Sequence, residues 1–395
     1  MEEEKKLTIK KPRKSWLVFL ILGIIGIVGG ATCLLVAILM PKEEKPGVVF
    51  PEISEPSVTE EYSLLTGEAL ADASLKNSPV YCIQIPNGLD GARPQVGLTE
   101  AGVVFEAIAE AGITRFAAIF QSPTQAVIGP IRSLRIYYLE WDTPFDCAIV
   151  HAGGAANALE AVRTGGYKDL TENYAYMYRG NGGNRLWNNL FTTSTELKQF
   201  AADTGFTTSN IQGFSRLTPK EAKKDRIDNL VANALDITEP TSDDTSAMTP
   251  SVSAINLNFG YMSDFNVHYD YDISTNTYKR SFRSGEAHDV YKCPDEDLGE
   301  VNPEGSCNLV QLSPKVVIAM VMDEKKAPDG YYESIATIGS GEVYVFQNGG
   351  VLHGTWKKPS RGEQIKFYDD SDTEIRLVPG QTFISAVPGY GSIEY

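Results

Sequence analysis

Five ionisable side chains in the N-terminal half of the sequence are candidates for one binding site: the carboxylate Glu106 and the potentially cationic Arg115, Arg132, Arg135 and His151. A guanidinium recognises a carboxylate or phosphate through paired N–H donors. Arg132 and Arg135 are three residues apart, so a helix would place them on one side. His151 ends an apolar run and Gly153-Gly154 follow it, where backbone N–H groups at a helix start favour an anion. The pattern predicts a pocket for an anionic ligand.

The same residues also permit a purely structural interpretation. Arg115 or Arg132 would form an internal salt bridge with Glu106, and His151 would be a hydrogen-bonded core residue. Because a Gly-Gly pair before a helix is a weak signal by itself, both interpretations stay open at this point.

A second set of candidate residues lies in the C-terminal half. His268, Asp270 and Asp272 alternate with apolar residues and so share one face of a predicted strand. Arg280 lies on the partner strand, and His288-Asp289 follow it. These residues could form a metal or acid–base site. The structural alternative is a solvated strand face with a cross-strand pair between Asp272 and Arg280.

Several chemistries lack their sequence patterns. No H-E-x-x-H or EF-hand spacing is present, so we expect no metal site. The sequence has no nucleophile elbow around Ser133, no P-loop and no dinucleotide fingerprint, so we expect no cofactor.

The elements that position the first set indicate an α/β domain over residues 75–238. Two apolar runs, Gly102 to Ala109 and Arg115 to Gln121, predict a β-hairpin. Helical spacing covers Ser133 to Trp141, and a strand at Asp146 to Val150 is followed by a helix over Gly154 to Arg163. Further helices are predicted over 194–202 and, from a capping box at Thr218, over 219–235.

Residues 239–251 are rich in Pro, Thr, Ser and Asp and predict a linker. The remainder, 252–395, predicts a mainly β domain. The strands are expected at 265–271, 278–282, 315–322, 334–338, 342–347, 351–357, 374–377 and 382–387. The fold class is therefore α+β, with an α/β domain followed by a mainly β domain.

The N-terminus predicts a membrane anchor. Residues 16–40 carry no charge and are long enough to span a bilayer as one transmembrane helix. Residues 1–15 form a basic cytoplasmic tail, and residues 41–74 predict a disordered linker to an extracellular body. Lipidation of Cys33 is the alternative, but the large aliphatic residue expected three positions earlier is missing.

Charge and cysteines agree with an extracytoplasmic body. The chain has a formal charge of −16, and residues 41–395 carry about −19 because the tail is basic, so nucleic acid is not an expected partner. Cys293 and Cys307 flank a polar loop and predict a disulfide, with a zinc site as the weaker alternative. Cys82 and Cys147 lie in apolar strands and predict buried thiols.

The sequence resembles the YerB-like family of bacterial lipoproteins, a two-domain family of unknown function. The resemblance covers residues 75–390 and is carried by 92–120, GPIRSLR (129–135), VHAGG (150–154), 269–280, His288-Asp289, 339–358 and 378–388. The sequence departs from the family pattern at the predicted membrane helix and at Trp187-Asn188-Asn189, where the family has Pro-His-Asn. The resemblance implies an outward-facing envelope protein and supplies no reaction.

These observations lead to one functional hypothesis with two alternatives. We expect a single-pass envelope protein that binds an anionic small molecule or cell-wall fragment at Arg132, Arg135 and His151. One alternative is a hydrolase of envelope polymers that uses Glu106 or His288-Asp289. The other is a scaffold for further membrane proteins.

Overall fold

The computed structural model describes residues 61–124, 126–180, 188–232, 250–293 and 307–395. The predicted transmembrane helix (16–40), the first part of the predicted 41–74 linker and most of the 239–251 linker lie outside these ranges. Within the described ranges, no helix has the length and apolar character that a membrane crossing requires. Residues Glu60–Tyr395 form one compact unit.

The secondary structure of these ranges is mainly β. The strands are β1 (Val80–Pro86), β2 (Val103–Glu110), β3 (Ile113–Gln121), β4 (Ala148–His151), β5 (Lys168–Thr171), β6 (Tyr178–Arg179), β7 (Leu190–Phe191), β8 (Ala254–Asn258), β9 (Val267–Asp272), β10 (Thr277–Phe282), β11 (Asp289–Lys292), β12 (Asn308–Gln311), β13 (Val316–Met322), β14 (Glu324–Lys326), β15 (Glu333–Ile335), β16 (Gly339–Gln347), β17 (Gly350–Lys358), β18 (Lys366–Asp369), β19 (Thr382–Pro388) and β20 (Ser392–Glu394). The α-helices are α1 (Ile136–Asp142), α2 (Ala156–Thr164), α3 (Ser194–Asp203) and α4 (Pro219–Ala232).

A ten-stranded mixed sheet organises the molecule, in the order β18-β17-β16-β13-β19-β2-β3-β1-β4-β5. Strands from both halves of the sequence meet at its centre, where β19 pairs in parallel with β2 and Thr382 lies opposite Val103. Strand β13 also runs parallel to β19. One sheet therefore crosses the predicted boundary between the domains.

The central strands are apolar because both faces of the sheet are covered. Every residue of β2 is buried, including Glu106. Helices α1 and α2 pack on one face through Tyr137, Trp141 and Val162. Helix α3 packs on the other face through Leu197 and Phe200.

A four-stranded sheet, β10-β9-β8-β20, packs against the C-terminal part of the large sheet. Its apolar face, with Leu257 and Tyr269, meets Ile108, Val317 and Phe346. The predicted hairpin of β9 and β10 is present, and the α+β class with a mostly β C-terminal part is confirmed. The predicted strand at 374–377 is wrong, because only isolated bridges form there, through Glu374 and Leu377.

The predicted helix over Ser133 to Trp141 begins three residues late, at Ile136. The preceding segment stays extended because it pairs with residues 153–155. The N–H of Leu134 donates to the Gly153 carbonyl at 3.1 Å, and its own carbonyl accepts from Ala155 at 3.1 Å. The capping box at Thr218 is present, with its hydroxyl accepting from the Glu221 N–H at 3.3 Å.

Two disulfides join the described cysteines. Cys293 pairs with Cys307, as the loop between them suggested. The prediction that Cys82 and Cys147 are buried thiols is wrong, because they form a disulfide with Cα atoms 5.7 Å apart. The parallel pairing of β1 with β4 sets Cys82 opposite Ile149, which brings the nearby Cys147 within reach.

Candidate functional site

A cleft of about 500 Å³ opens at one end of the hairpin formed by β2 and β3. The polar wall of the cleft comes from the N-terminal half of the sequence. The opposite side of the cleft is closed by residues of the β8–β9 connection, in the C-terminal half. The polar lining consists of Asp90, Glu110, Arg115, Arg132, Ser133 and Asn188. The apolar lining consists of Pro86, Leu89, Ile113, Met262 and Phe265.

Glu110 is the carboxylate that pairs with the two arginines at the back of this cleft, Arg115 and Arg135. One of its oxygens forms an ion pair with Arg115, and the other lies 2.7 Å from Nη2 of Arg135. Burial of Glu110 acts to raise its pKa, but the charges of Arg115 and Arg135 outweigh burial and keep the pKa below its usual value. Arg115 also has two buried nitrogens, Nε and Nη1, without an acceptor among the described residues.

Arg135 contributes to the cleft only through Glu110. Its side chain is buried, its Nη1 donates to the Leu134 carbonyl at 3.1 Å, and its guanidinium lies 4.5 Å from the ring centre of Tyr332. The predicted fork of Arg132 and Arg135 on one helix side is wrong, because both residues precede α1.

Arg132 presents its guanidinium to the cleft. Its Nε donates to Oδ1 of Asn188 at 2.8 Å, and the amide nitrogen of Asn188 donates to the Asp90 carbonyl at 3.1 Å. In the part of the chain that the structure describes, no carboxylate lies within ion-pair distance of Arg132. Arg132 is therefore a half-buried cation whose Nη1 and Nη2 groups have no acceptor among the described residues.

His151 does not reach this cleft. It is buried at the end of β4, where Nδ1 lies 2.8 Å from the Gly153 carbonyl and Nε2 lies 3.0 Å from Asp169. Its assignment to the pocket is therefore wrong, because both ring nitrogens already have partners in the protein core. The structural interpretation holds for this residue.

Three of the remaining candidates, Glu106, Arg280 and His288, belong to a closed ring of hydrogen bonds in the interior. Arg280 donates from Nη2 to Glu106 at 2.9 Å and from Nε to Nδ1 of His288 at 2.9 Å. The ring continues from His288 through Gln95, Asn87 and Thr114, whose hydroxyl donates to Glu106 at 2.9 Å. All six side chains are at most 1% exposed. Residues from both halves of the sequence therefore share one buried polar network.

The ring fixes His288 as a neutral imidazole. Nδ1 accepts from Arg280, so the proton must be on Nε2, which donates to Oε1 of Gln95 at 3.0 Å. Burial, followed by the positive charges of Arg280 and Arg93, lowers the pKa of His288 well below its ordinary value. The phenol of Tyr269 accepts another bond from Arg280.

Three sequence-based expectations change with this network. Glu106 pairs with Arg280 instead of Arg115 or Arg132. Asp272, the expected cross-strand partner of Arg280, pairs with Lys279 at 2.7 Å. The hydrolase alternative relied on Glu106 or on His288-Asp289. Glu106, Arg280 and His288 are sealed from solvent, so a polymer cannot contact them. Asp289 begins β11 and lies outside the ring.

Sequence reasoning missed the residues that complete both sites. Glu110 and Asp90 lie in the sequences Glu110-Ala111-Gly112 and Asp90-Gly91, which are typical of chain reversals and indicate no binding role. Asn188 lies in the segment that departs from the family pattern, and Gln95 lies within a matching segment. Their roles depend on contacts between residues far apart in sequence, such as Asn188 with Asp90.

Comparisons with known proteins agree with this architecture. Residues 65–207 match the family model described as "Protein of unknown function (DUF3048) N-terminal domain", and residues 255–384 match the corresponding C-terminal domain. The chain is similar to the Bacillus subtilis (strain 168) protein named "Putative lipoprotein YerB", with 27% identity over 330 residues, 82% of this chain and 85% of the relative.

A crystal structure of the YerB protein from Bacillus subtilis has a similar fold. The TM-score is 0.65 at 22% identity, and the match covers 85% of this chain and 100% of that chain. Both family domains are present in their expected order, one on each side of residues 208–254. The chain belongs to the DUF3048 family of YerB-like proteins, whose function is unknown.

Proposed function

We propose that this protein is a membrane-anchored envelope protein whose extracellular body binds an anionic ligand in the cleft at Arg115 and Arg132. The observation that carries the proposal is Arg132, a half-buried cation in a cleft of about 500 Å³ with no carboxylate partner among the described residues. A cleft of this size suits a small molecule or the end of a cell-wall fragment.

The charge around the cleft supports an anion. Arg115 and Arg135 together place two positive charges on the single negative charge of Glu110. Arg132 adds a third cation, so the charge stays positive after Asp90 is counted. The Nε and Nη1 donors of Arg115 have no acceptor in the described structure. Because the chain is acidic overall, with a formal charge of −16, a cationic recess of this kind stands out from its surroundings.

The envelope location rests on three observations. Residues 16–40 form an uncharged apolar run of membrane-spanning length. Two disulfides in the body are typical of an oxidising compartment. The Bacillus subtilis relative is named as a lipoprotein, so attachment to a membrane is proposed for this chain as well.

The experiment is titration calorimetry of the body with a soluble digest of purified peptidoglycan and with its separated fragments. We expect binding by acidic fragments and a loss of roughly ten- to hundredfold in affinity in Arg132→Gln, because a hydrogen bond to a charged group contributes about 1.5–3 kcal/mol.

Arg283→Ala is the matched control, since Arg283 is an exposed arginine that pairs at 3.4 Å with Glu394 outside the cleft. Its affinity should equal that of the unchanged protein. Equal affinities for Arg132→Gln and Arg283→Ala would refute an anion site at Arg132.

A further inference from the structure

The cleft carries an unpaired anion as well as an unpaired cation. Asp90 and Arg132 both line it, and neither side chain has an ion-pair partner within the described ranges. Asp90 is exposed to water, and its charge acts on Arg132 from beyond ion-pair distance. The two side chains stay apart, and the structure contains a cause for this separation.

Asn188 provides that cause, because its side-chain amide lies between the two residues. Its oxygen accepts from Nε of Arg132 at 2.8 Å, and its nitrogen donates to the backbone carbonyl of Asp90 at 3.1 Å. The amide is buried, so both bonds are protected from water. Asn188 thereby fixes the guanidinium on one side and the turn that carries the Asp90 carboxylate on the other.

Much of the remaining wall is apolar. Leu89 and Ile113 come from the N-terminal half, and Met262 and Phe265 come from the β8–β9 connection. Leu89 is 62% exposed, so much of this side chain is open to contact with a ligand. A ligand that covers this wall would gain hydrophobic contact in addition to the two charges.

We infer that the cleft binds a zwitterion of the amino-acid or short-peptide class, with its carboxylate on Arg132 and its ammonium on Asp90. This inference rests on the proposed function and makes it more specific, since a simple anion would leave Asp90 unpaired and repelled. An ammonium group between the ligand carboxylate and Asp90 removes that repulsion. The apolar wall would contact the aliphatic part of the ligand.

The test compares two probes that differ only in their ammonium groups. Lysyl-D-alanyl-D-alanine has a carboxylate and free ammonium groups, and its diacetylated form keeps the carboxylate alone. In calorimetry with the full extracellular body, we expect the free tripeptide to bind roughly tenfold more tightly or better. Asp90→Asn should remove this preference, and Arg132→Gln should weaken both probes.

Asp228→Asn is the matched control, because Asp228 is an exposed carboxylate of α4, and it should keep the full preference. Equal binding of both probes to the unchanged protein, with a loss in Arg132→Gln, would overturn the zwitterion but keep the anion site. Binding of both probes that is insensitive to Arg132→Gln would overturn the anion site as well. Absence of binding by either probe would overturn the amino-acid class of ligand.

Discussion

At the scale of single residues, two carboxylates give the arginines of this protein different tasks. Glu106 holds Arg280 in the interior, where both side chains are fully buried. Glu110 holds Arg115 and Arg135 at the back of the cleft. Within the described ranges, the Arg132 side chain pairs with neither carboxylate and donates to the neutral amide of Asn188. The arginine that we propose as the ligand-binding residue therefore differs from the other three in having no carboxylate partner in the described structure.

We predict that Glu106→Gln lowers the free energy of unfolding by about 3–5 kcal/mol, because it leaves the Arg280 charge buried without its counter-ion. Gln has nearly the same shape and still accepts from Thr114, so the loss reports on charge. Chemical denaturation of the body measures it.

Glu394→Gln is the control for this variant. It breaks the exposed Arg283–Glu394 pair and should cost less than about 1 kcal/mol. Similar losses in the two variants would show that the charge of Glu106 does not stabilise the fold.

At the scale of elements, strand pairing decides which distant residues meet. The hairpin of β2 and β3 places Glu106 opposite Phe116 and Ala107 opposite Arg115. The parallel pairing of β1 with β4 brings Cys82 and Cys147 together across 65 residues of sequence. The covalent link therefore joins β1 to the residue that precedes β4, in the sheet that carries the cleft.

We predict that at most one thiol, that of Cys33, reacts in a thiol titration of the denatured, unreduced protein. Four of the five cysteines form the pairs Cys82–Cys147 and Cys293–Cys307. Buried thiols at Cys82 and Cys147 would instead give up to three reactive groups. Titration after reduction, with up to five thiols expected, provides the control.

At the scale of the whole molecule, the two family domains share one sheet and one buried network. Strand β19 of the C-terminal half lies between β13 and β2, and Arg280 of that half neutralises Glu106 of the other. A separated half would expose the apolar edge of β2 or β19. It would also leave one of these charges buried without its partner.

We therefore predict one cooperative unfolding transition for residues 61–395 in calorimetry, with equal calorimetric and van't Hoff enthalpies. Separate fragments of residues 61–232 and 250–395 should show no cooperative transition. Two transitions in the whole body, or a cooperative one in either half, would contradict this prediction.

Local patterns in the sequence determined several features of this protein. Apolar runs identified β2, β3, β13 and β19, a capping box identified the start of α4, and the matching segments identified the family. These features depend on neighbouring residues, so a single sequence contains them. The boundary at residues 239–251 stays a prediction.

Only the tertiary structure decided the partner of each charged side chain. Arg280 and Glu106 are 174 residues apart in sequence, yet they form a fully buried ion pair. Residue types showed that these side chains could bind anions or pair internally, and the structure shows internal pairs for Arg115, Arg135 and Arg280. Which outcome applies to a given arginine depends on the strand register and on the carboxylate that the register brings near, and neither leaves a local pattern in the chain.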